Sequence, residues 1–184
     1  GNFGNLTAGL FAREMGLPVK WFLAANNEND VVYEYLKTGN YNPRASVETL
    51  ANAMDVGAPS NFARILDLYH HSHTKISSIM KGFRYSDDEI RNTIKDVFNA
   101  TGYLCDPHGA CGYRALTHFL QKGETGVFLE TAHPAKFSDK METIIGKENV
   151  KMPGKLMSFM NRQKKSIHLE KDYTRFRSYL LNAC

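Results

Sequence analysis

The 184-residue sequence has little of what a membrane, secreted or nucleic-acid-binding protein needs. No apolar run approaches the roughly 18 residues of a membrane span, because residues 21–25 and 127–129 are each cut off by polar neighbours within a few positions. Cysteines number three, an odd count, which fits a soluble chain in the reducing cytoplasm better than a disulfide framework. The net charge of +4 is modest, and the basic stretch NRQKK (161–165) alternates with acids downstream, so no arm or stripe suits nucleic acid. Internal repeats and low-complexity tracts are lacking. So is an initiator methionine: the chain opens on Gly1.

What is present is an ordinary globular composition, 42% hydrophobic and 23% charged, sufficient for one domain with a real core. Leu6, Leu10, Phe11 and Met15 keep helical spacing, and Gly16-Leu17-Pro18 ends that helix before VKWFLAA (19–25), a compact apolar run that reads as a buried strand. In NDVVYEYLKTG, Asn29 or Asp30 caps a helix bearing Val31, Val32, Tyr35 and Leu36, and Gly39 stands at its end. Residues 1–58 therefore read as the start of an α/β alternation. Residues 59–101 read as a mainly helical insertion, since Phe62, Ile65, Leu66 and Tyr69 share a face and Ser86 pairs with Glu89 as a capping box. Over residues 102–150 the alternation resumes: a short strand and turn in TGYLCDPHGACGYRALTHFL, a helix from about Ala110, then a second strand in GVFLETAHPAKF ending in a polar loop. Residues 151–184 predict peripheral C-terminal helices, one around Leu156, Phe159 and Met160 and one from 173 to 181. Phe11, Trp21, Phe22 and Tyr35 read as core.

The opening GNFGN carries the first candidate site. A glycine-rich turn that delivers backbone N–H groups at a helix N-terminus suits an anion, because unpaired amides and the helix dipole both favour negative charge. Gly1 and Gly4 allow close backbone approach, Asn2 and Asn5 bring side-chain donors, and Thr7 lies in the first turn; a plain capping turn is the alternative. Cys105, His108 and Cys111 recur at three-residue intervals, but no second Cys or His pair completes a zinc set, so no metal is expected. His70, His71 and His73 cross the end of one predicted helix as surface or capping residues, whereas His133 stands beside Thr131 near a pocket.

Four segments, GNFGNLTAGLFAREMGLPV, ANAMDVGAPSNFARI, DPHGACGYRAL and LETAHPAKF, occur in an order that resembles the threonine synthase family from Gly1 to about Phe137. The resemblance implies a pyridoxal-phosphate enzyme of fold type II, a tryptophan synthase β-like α/β body, that converts O-phospho-L-homoserine and water to L-threonine and phosphate. It implies that Gly1, Asn2, Phe3, Gly4 and Asn5 wrap the phosphate of pyridoxal 5'-phosphate and that the Thr131 hydroxyl meets the pyridine nitrogen. A neutral hydroxyl leaves the ring a milder electron sink than a carboxylate would. For Thr131 the alternative is a bond within its own turn before Pro134. Since such a substrate brings a second phosphate, Ser60, Asn61 and Arg64 in MDVGAPSNFARI are candidates for it, with simple helix capping by Ser60 or Asn61 as the alternative.

The Schiff-base lysine of the family lies upstream of the phosphate loop in a Phe-Lys-Asp-like stretch, and no such motif occurs here. Lys75 and Lys95 fall on predicted exposed helix faces, and Lys136 belongs to a segment the family does not use for that bond. The expectation is a C-terminal fragment whose partner is the missing N-terminal portion of the same protein. In isolation it would be inactive and would expose apolar surface. The rivals are another fold type II enzyme, such as a serine or threonine dehydratase, and a non-catalytic anion-binding module; an upstream lysine in a longer product, together with phosphate release from phosphohomoserine by that product, separates them.

Overall fold

A computed structural model describes residues 1–182. Residues from Gly1 to Lys151 form one unit and those from Met152 onward another. The first unit runs α1 (Gly4–Glu14), β1 (Phe22–Asn26), α2 (Val31–Thr38), α3 (Phe62–Leu68), α4 (His73–Ile79), β2 (Met80–Arg84), α5 (Asp87–Thr101), α6 (Pro107–Phe119), a 3-10 turn (Pro134–Phe137) and α7 (Ser138–Ile145).

Strands β1 and β2 pair in parallel, Phe22 opposite Met80 and Asn26 opposite Arg84. The period of two along β1 sends its side chains into two separate cores. Phe22 and Ala24 join Leu10, Val32, Phe62, Ile65, Ile76 and Met80, while Leu23 and Ala25 join Ile90, Ile94, Ala110, Ala115 and Met141. Helices therefore cover both faces of the ladder, the α/β arrangement expected from the sequence.

Local signals explain most of the helices. In α2, Val31, Val32 and Tyr35 are buried, and the helix stops at Gly39 in the left-handed region at φ 79°, whose amide returns to Tyr35 O at 2.8 Å. In α5 the Ser86–Glu89 capping box is complete, and Ile90, Thr93, Ile94 and Val97 make its buried face. Helix α6 begins at Pro107, behind Asp106 as N-cap, and so three residues earlier than expected.

Three expectations are corrected. The 59–101 stretch contains strand β2, placed directly after α4 with no turn between them; a segment with Lys81, Gly82 and Arg84 becomes a strand because β1 offers it a ladder. The strands expected before α6 and in GVFLETAHPAKF do not form. Residues 124–130 do alternate strand-like, with Val127 78% and Leu129 59% exposed and Phe128 and Glu130 turned inward, but among the described residues no strand pairs with them. Phe11, read as core, is 43% exposed.

The second unit carries α8 (Gly154–Met160) and α9 (Tyr173–Asn182), neither with a buried residue. Within it Arg162 stacks over the Phe159 ring at 4.8 Å and Arg175 pairs with Glu170 at 2.7 Å. No helix among the described residues is long and apolar enough to cross a membrane.

Candidate functional site

Ligands in α/β folds sit beyond the carboxyl ends of the parallel strands. Here those ends run into a dense polar network. Asn27 is buried and donates to Thr49 Oγ1 at 2.8 Å; Asn29 donates to Asp55 Oδ1 at 3.0 Å and to Val47 O at 2.9 Å; Asp55 also accepts the Thr49 hydroxyl at 2.7 Å and the Thr49 amide at 3.0 Å. Buried Asp30, at the N-cap of α2, makes no cap bond and instead pairs with Arg44 and with Arg84, the latter at 3.1 Å from Nε to Oδ2. Together these bonds tie the loop between α2 and α3 to the ends of both strands. For Asn27 and Thr49 the one signal in the sequence is a run of asparagines directly after a buried strand.

That loop delivers Ser60 and Asn61 to the opening turn. Asn2 Oδ1 accepts the Ser60 amide at 2.6 Å, Asn2 Nδ2 donates to Ser60 Oγ at 2.9 Å, and Asn61 Nδ2 donates to Asn2 O at 3.0 Å. Phe3 precedes α1 in the left-handed region at φ 56°, uncommon for a residue with a Cβ. The Thr7 hydroxyl and amide both return to Phe3 O, at 2.8 and 2.9 Å. Helix α1 thus begins with no side-chain cap and no acidic residue in its first turn, which leaves the amides of Gly4, Asn5 and Leu6 without a helical acceptor. Gly4 and Asn5 are exposed. A bare, positively polarised helix start behind a turn pinned at Asn2 fits a phosphate group.

The candidates for a second anion are engaged otherwise. Ser60 and Asn61 hold Asn2, Asn61 is the N-cap of α3 without a side-chain cap bond, and exposed Arg64 donates to Asn61 Oδ1 at 3.0 Å. The structure thus joins Asn2, Ser60, Asn61 and Arg64 in one chain of contacts.

Thr131 is exposed, at the end of the unpaired extended segment, and its hydroxyl makes no hydrogen bond within its own turn. Directly before it, Glu130 turns inward and accepts the Asp106 amide at 3.3 Å. Asp106 caps α6, its Oδ1 accepting the His108 amide and His108 Nδ1, each at 2.8 Å. Cys111, one turn further along α6, is buried. Asp106 and Glu130 were not singled out from the sequence.

The remaining expected residues have structural places. His133 caps the 3-10 turn, its Nδ1 accepting the Ala135 amide at 3.1 Å. His70 and His71 turn the chain between α3 and α4 at φ 52° and 57°, and His73 packs edge-on against Tyr35. Lys75, Lys95 and Lys136 are exposed. Among the described residues no group of three or more His, Cys, Asp and Glu side chains is placed to hold a metal ion.

A helix-covered parallel ladder with an uncapped helix start at its carboxyl end defines an α/β fold with room for an anion at exposed backbone N–H groups. The family model for "Pyridoxal-phosphate dependent enzyme" matches residues 1–129, and the chain belongs to that family. The model for "Threonine synthase, C-terminal" matches residues 109–180. The chain is 43% identical over 183 residues to the threonine synthase of Haemophilus influenzae, covering 100% of this chain and 42% of that protein. It superimposes on the crystal structure of threonine synthase from Escherichia coli with a TM-score of 0.83 at 38% identity, over 100% of this chain and 42% of the other. The PLP-bound threonine synthase from Brucella melitensis gives 0.82 at 29% identity, over 99% and 44%. The chain therefore spans less than half the length of these relatives.

Proposed function

We propose that the chain is the C-terminal portion of a threonine synthase that acts in the cytoplasm, converting O-phospho-L-homoserine and water to L-threonine and inorganic phosphate. The observation that carries this reading is the uncapped start of α1 held in place by Asn2, Ser60 and Asn61, in a chain whose residues 109–180 match the threonine synthase C-terminal model. That match favours phosphohomoserine over the substrates of a dehydratase.

Pyridoxal 5'-phosphate, when bound, supplies the electron sink that lets protons leave the substrate carbons. This chain's part is to bind and orient. The Gly1, Asn2, Phe3, Gly4 and Asn5 turn, which Asn2 fastens through Ser60 and Asn61, would hold the coenzyme phosphate on its amides, and the exposed Thr131 hydroxyl would serve the pyridine nitrogen as a neutral partner that fixes no charge there. Arg64 stands beside Asn61 as the cation for the substrate's own phosphate. The lysine that anchors the coenzyme comes from sequence upstream of the turn, the N-terminal portion that is this chain's partner.

The test is a longer product carrying that lysine, assayed for phosphate release from O-phospho-L-homoserine, beside residues 1–184 alone. Release by the first and none by the second is expected. A structure of the longer protein with its coenzyme phosphate resting away from residues 1–5 would overturn the reading.

A further inference from the structure

We infer that Glu130 is a positioning residue for Thr131: as a neutral carboxylic acid it lies against the buried carboxylate of Asp106, one proton joining the two groups, and so fastens the segment carrying Thr131 to the start of α6. The inference rests on the reading of Thr131 as the partner of the coenzyme ring.

The geometry demands a proton. Asp106 is 0% exposed, and Oδ1 takes both of its bonds from His108. Glu130 Oε2 takes the Asp106 amide. Asp106 Oδ2 and Glu130 Oε1 are left buried with no partner. Two ionised carboxylates in this place would set like charges together and leave both oxygens unsatisfied, whereas a single O–H between the carboxyls answers both at once. Asp106 is the natural holder of the charge, because it caps a helix, faces the positive end of the dipole and receives two N–H bonds from His108. The other carboxyl then keeps the proton. The start of α6 is shaped to admit it: a Cβ at Gly109 would overlap the Glu130 carboxyl.

The titration directions agree. Burial, then the neighbouring Asp106, pushes Glu130 up to about 8. For Asp106 burial acts upward but is outweighed by hydrogen bonds from His108 and Glu130, which hold it at about 2. Also facing the pair are Cys105, Tyr103 and Cys111, each raised chiefly by burial, and His108, whose ring rests on Phe137 at 5.5 Å. A proton held more tightly by the folded than by the unfolded chain gives stability that is complete below the ordinary Glu130 value of 4.5 and is lost as pH rises through about 8.

The test compares wild type, Glu130→Gln and Glu130→Ala in the full-length protein, reading melting temperature without coenzyme and coenzyme affinity by fluorescence titration, between about pH 6 and about pH 9. Glutamine keeps a donor toward Asp106 and cannot ionise. Across this range wild type should lose roughly tenfold in affinity relative to Glu130→Gln and lose melting temperature alongside, while Glu130→Ala is weak throughout. A Gln variant with the wild-type pH slope, or an Ala variant with wild-type affinity, overturns the inference. A slope in melting with none in affinity overturns the positioning role and leaves a purely structural pair. Wild-type affinity and coenzyme spectrum in Thr131→Val would remove the ring-nitrogen reading itself, a separate result that takes the inference with it.

Discussion

Asn2 holds Ser60 by both ends of one amide: its Oδ1 accepts the Ser60 backbone N–H at 2.6 Å and its Nδ2 donates to the Ser60 hydroxyl at 2.9 Å. The two residues are 58 positions apart, and their contact fastens the turn before α1 to the loop before α3. A turn that must receive an anion on its backbone cannot also be held by those same amides. Side chains and a carbonyl do the holding, and the N–H groups stay available.

Asn2→Ala removes both bonds and leaves Asn61 Nδ2 on the backbone carbonyl as the remaining tie. Since partly exposed neutral hydrogen bonds are worth about 0.5–1.5 kcal/mol each, the expected loss of stability is about 1 kcal/mol. Coenzyme affinity in the full-length protein should fall by roughly tenfold or more, because the turn must then be ordered on binding. Denaturant melts and a fluorescence titration check the two effects. A drop in stability with unchanged affinity would separate Asn2 from the phosphate.

The Ser86–Glu89 box satisfies the start of α5 from both sides, so Ser86→Ala should cost about 1 kcal/mol. Glu89 also has an acid-side signature. The Ser86 amide, ahead of the smaller contributions of the Ser86 hydroxyl and Arg114, holds its carboxyl below the ordinary value of 4.5. A depressed carboxyl gives stability that is present above the unfolded value and lost as pH falls below it. Thermal melts of wild type should therefore weaken below about pH 4.5 more steeply than those of Glu89→Gln.

Cys105 and Cys111 are buried free thiols, each pushed up to about 12, chiefly by burial. The thiolate is the reactive form, so native protein near neutral pH should leave both unlabelled by iodoacetamide over the time that denatured protein is labelled fully. Peptide mapping by mass spectrometry reads the two sites separately. Rapid native labelling at Cys105 would contradict the closed packing around the Asp106–Glu130 pair.

Val127 and Leu129 expose their side chains on an extended segment whose backbone pairs with no strand among the described residues. Exposed apolar surface with unpaired extended backbone favours association. Residues 1–184 alone should therefore self-associate in light scattering, and the double substitution Val127→Lys and Leu129→Glu should shift the material toward monomer. A monodisperse monomer for the unsubstituted chain at high concentration would count against the prediction.

The local chemistry of this chain was written into its sequence. Gly39 had to end a helix because only a residue without a Cβ takes φ 79° at little cost, Ser86 and Glu89 had to start one, and the compact apolar run of residues 19–25 announced β1. The Gly1–Asn5 turn was visible as a possible anion cradle for the same reason, since amide availability at a helix start is a local property. Tertiary structure decided everything that depends on a distant partner. Residues 80–84 are a strand because β1 runs alongside, whereas residues 126–130 carry a better strand pattern and find no partner among the described residues, since a ladder is a relation between two segments. Likewise only the folded chain joins Asn2 to Ser60 by hydrogen bonds. Burial, which no residue possesses alone, is what makes Glu130 an acid that keeps its proton beside Asp106.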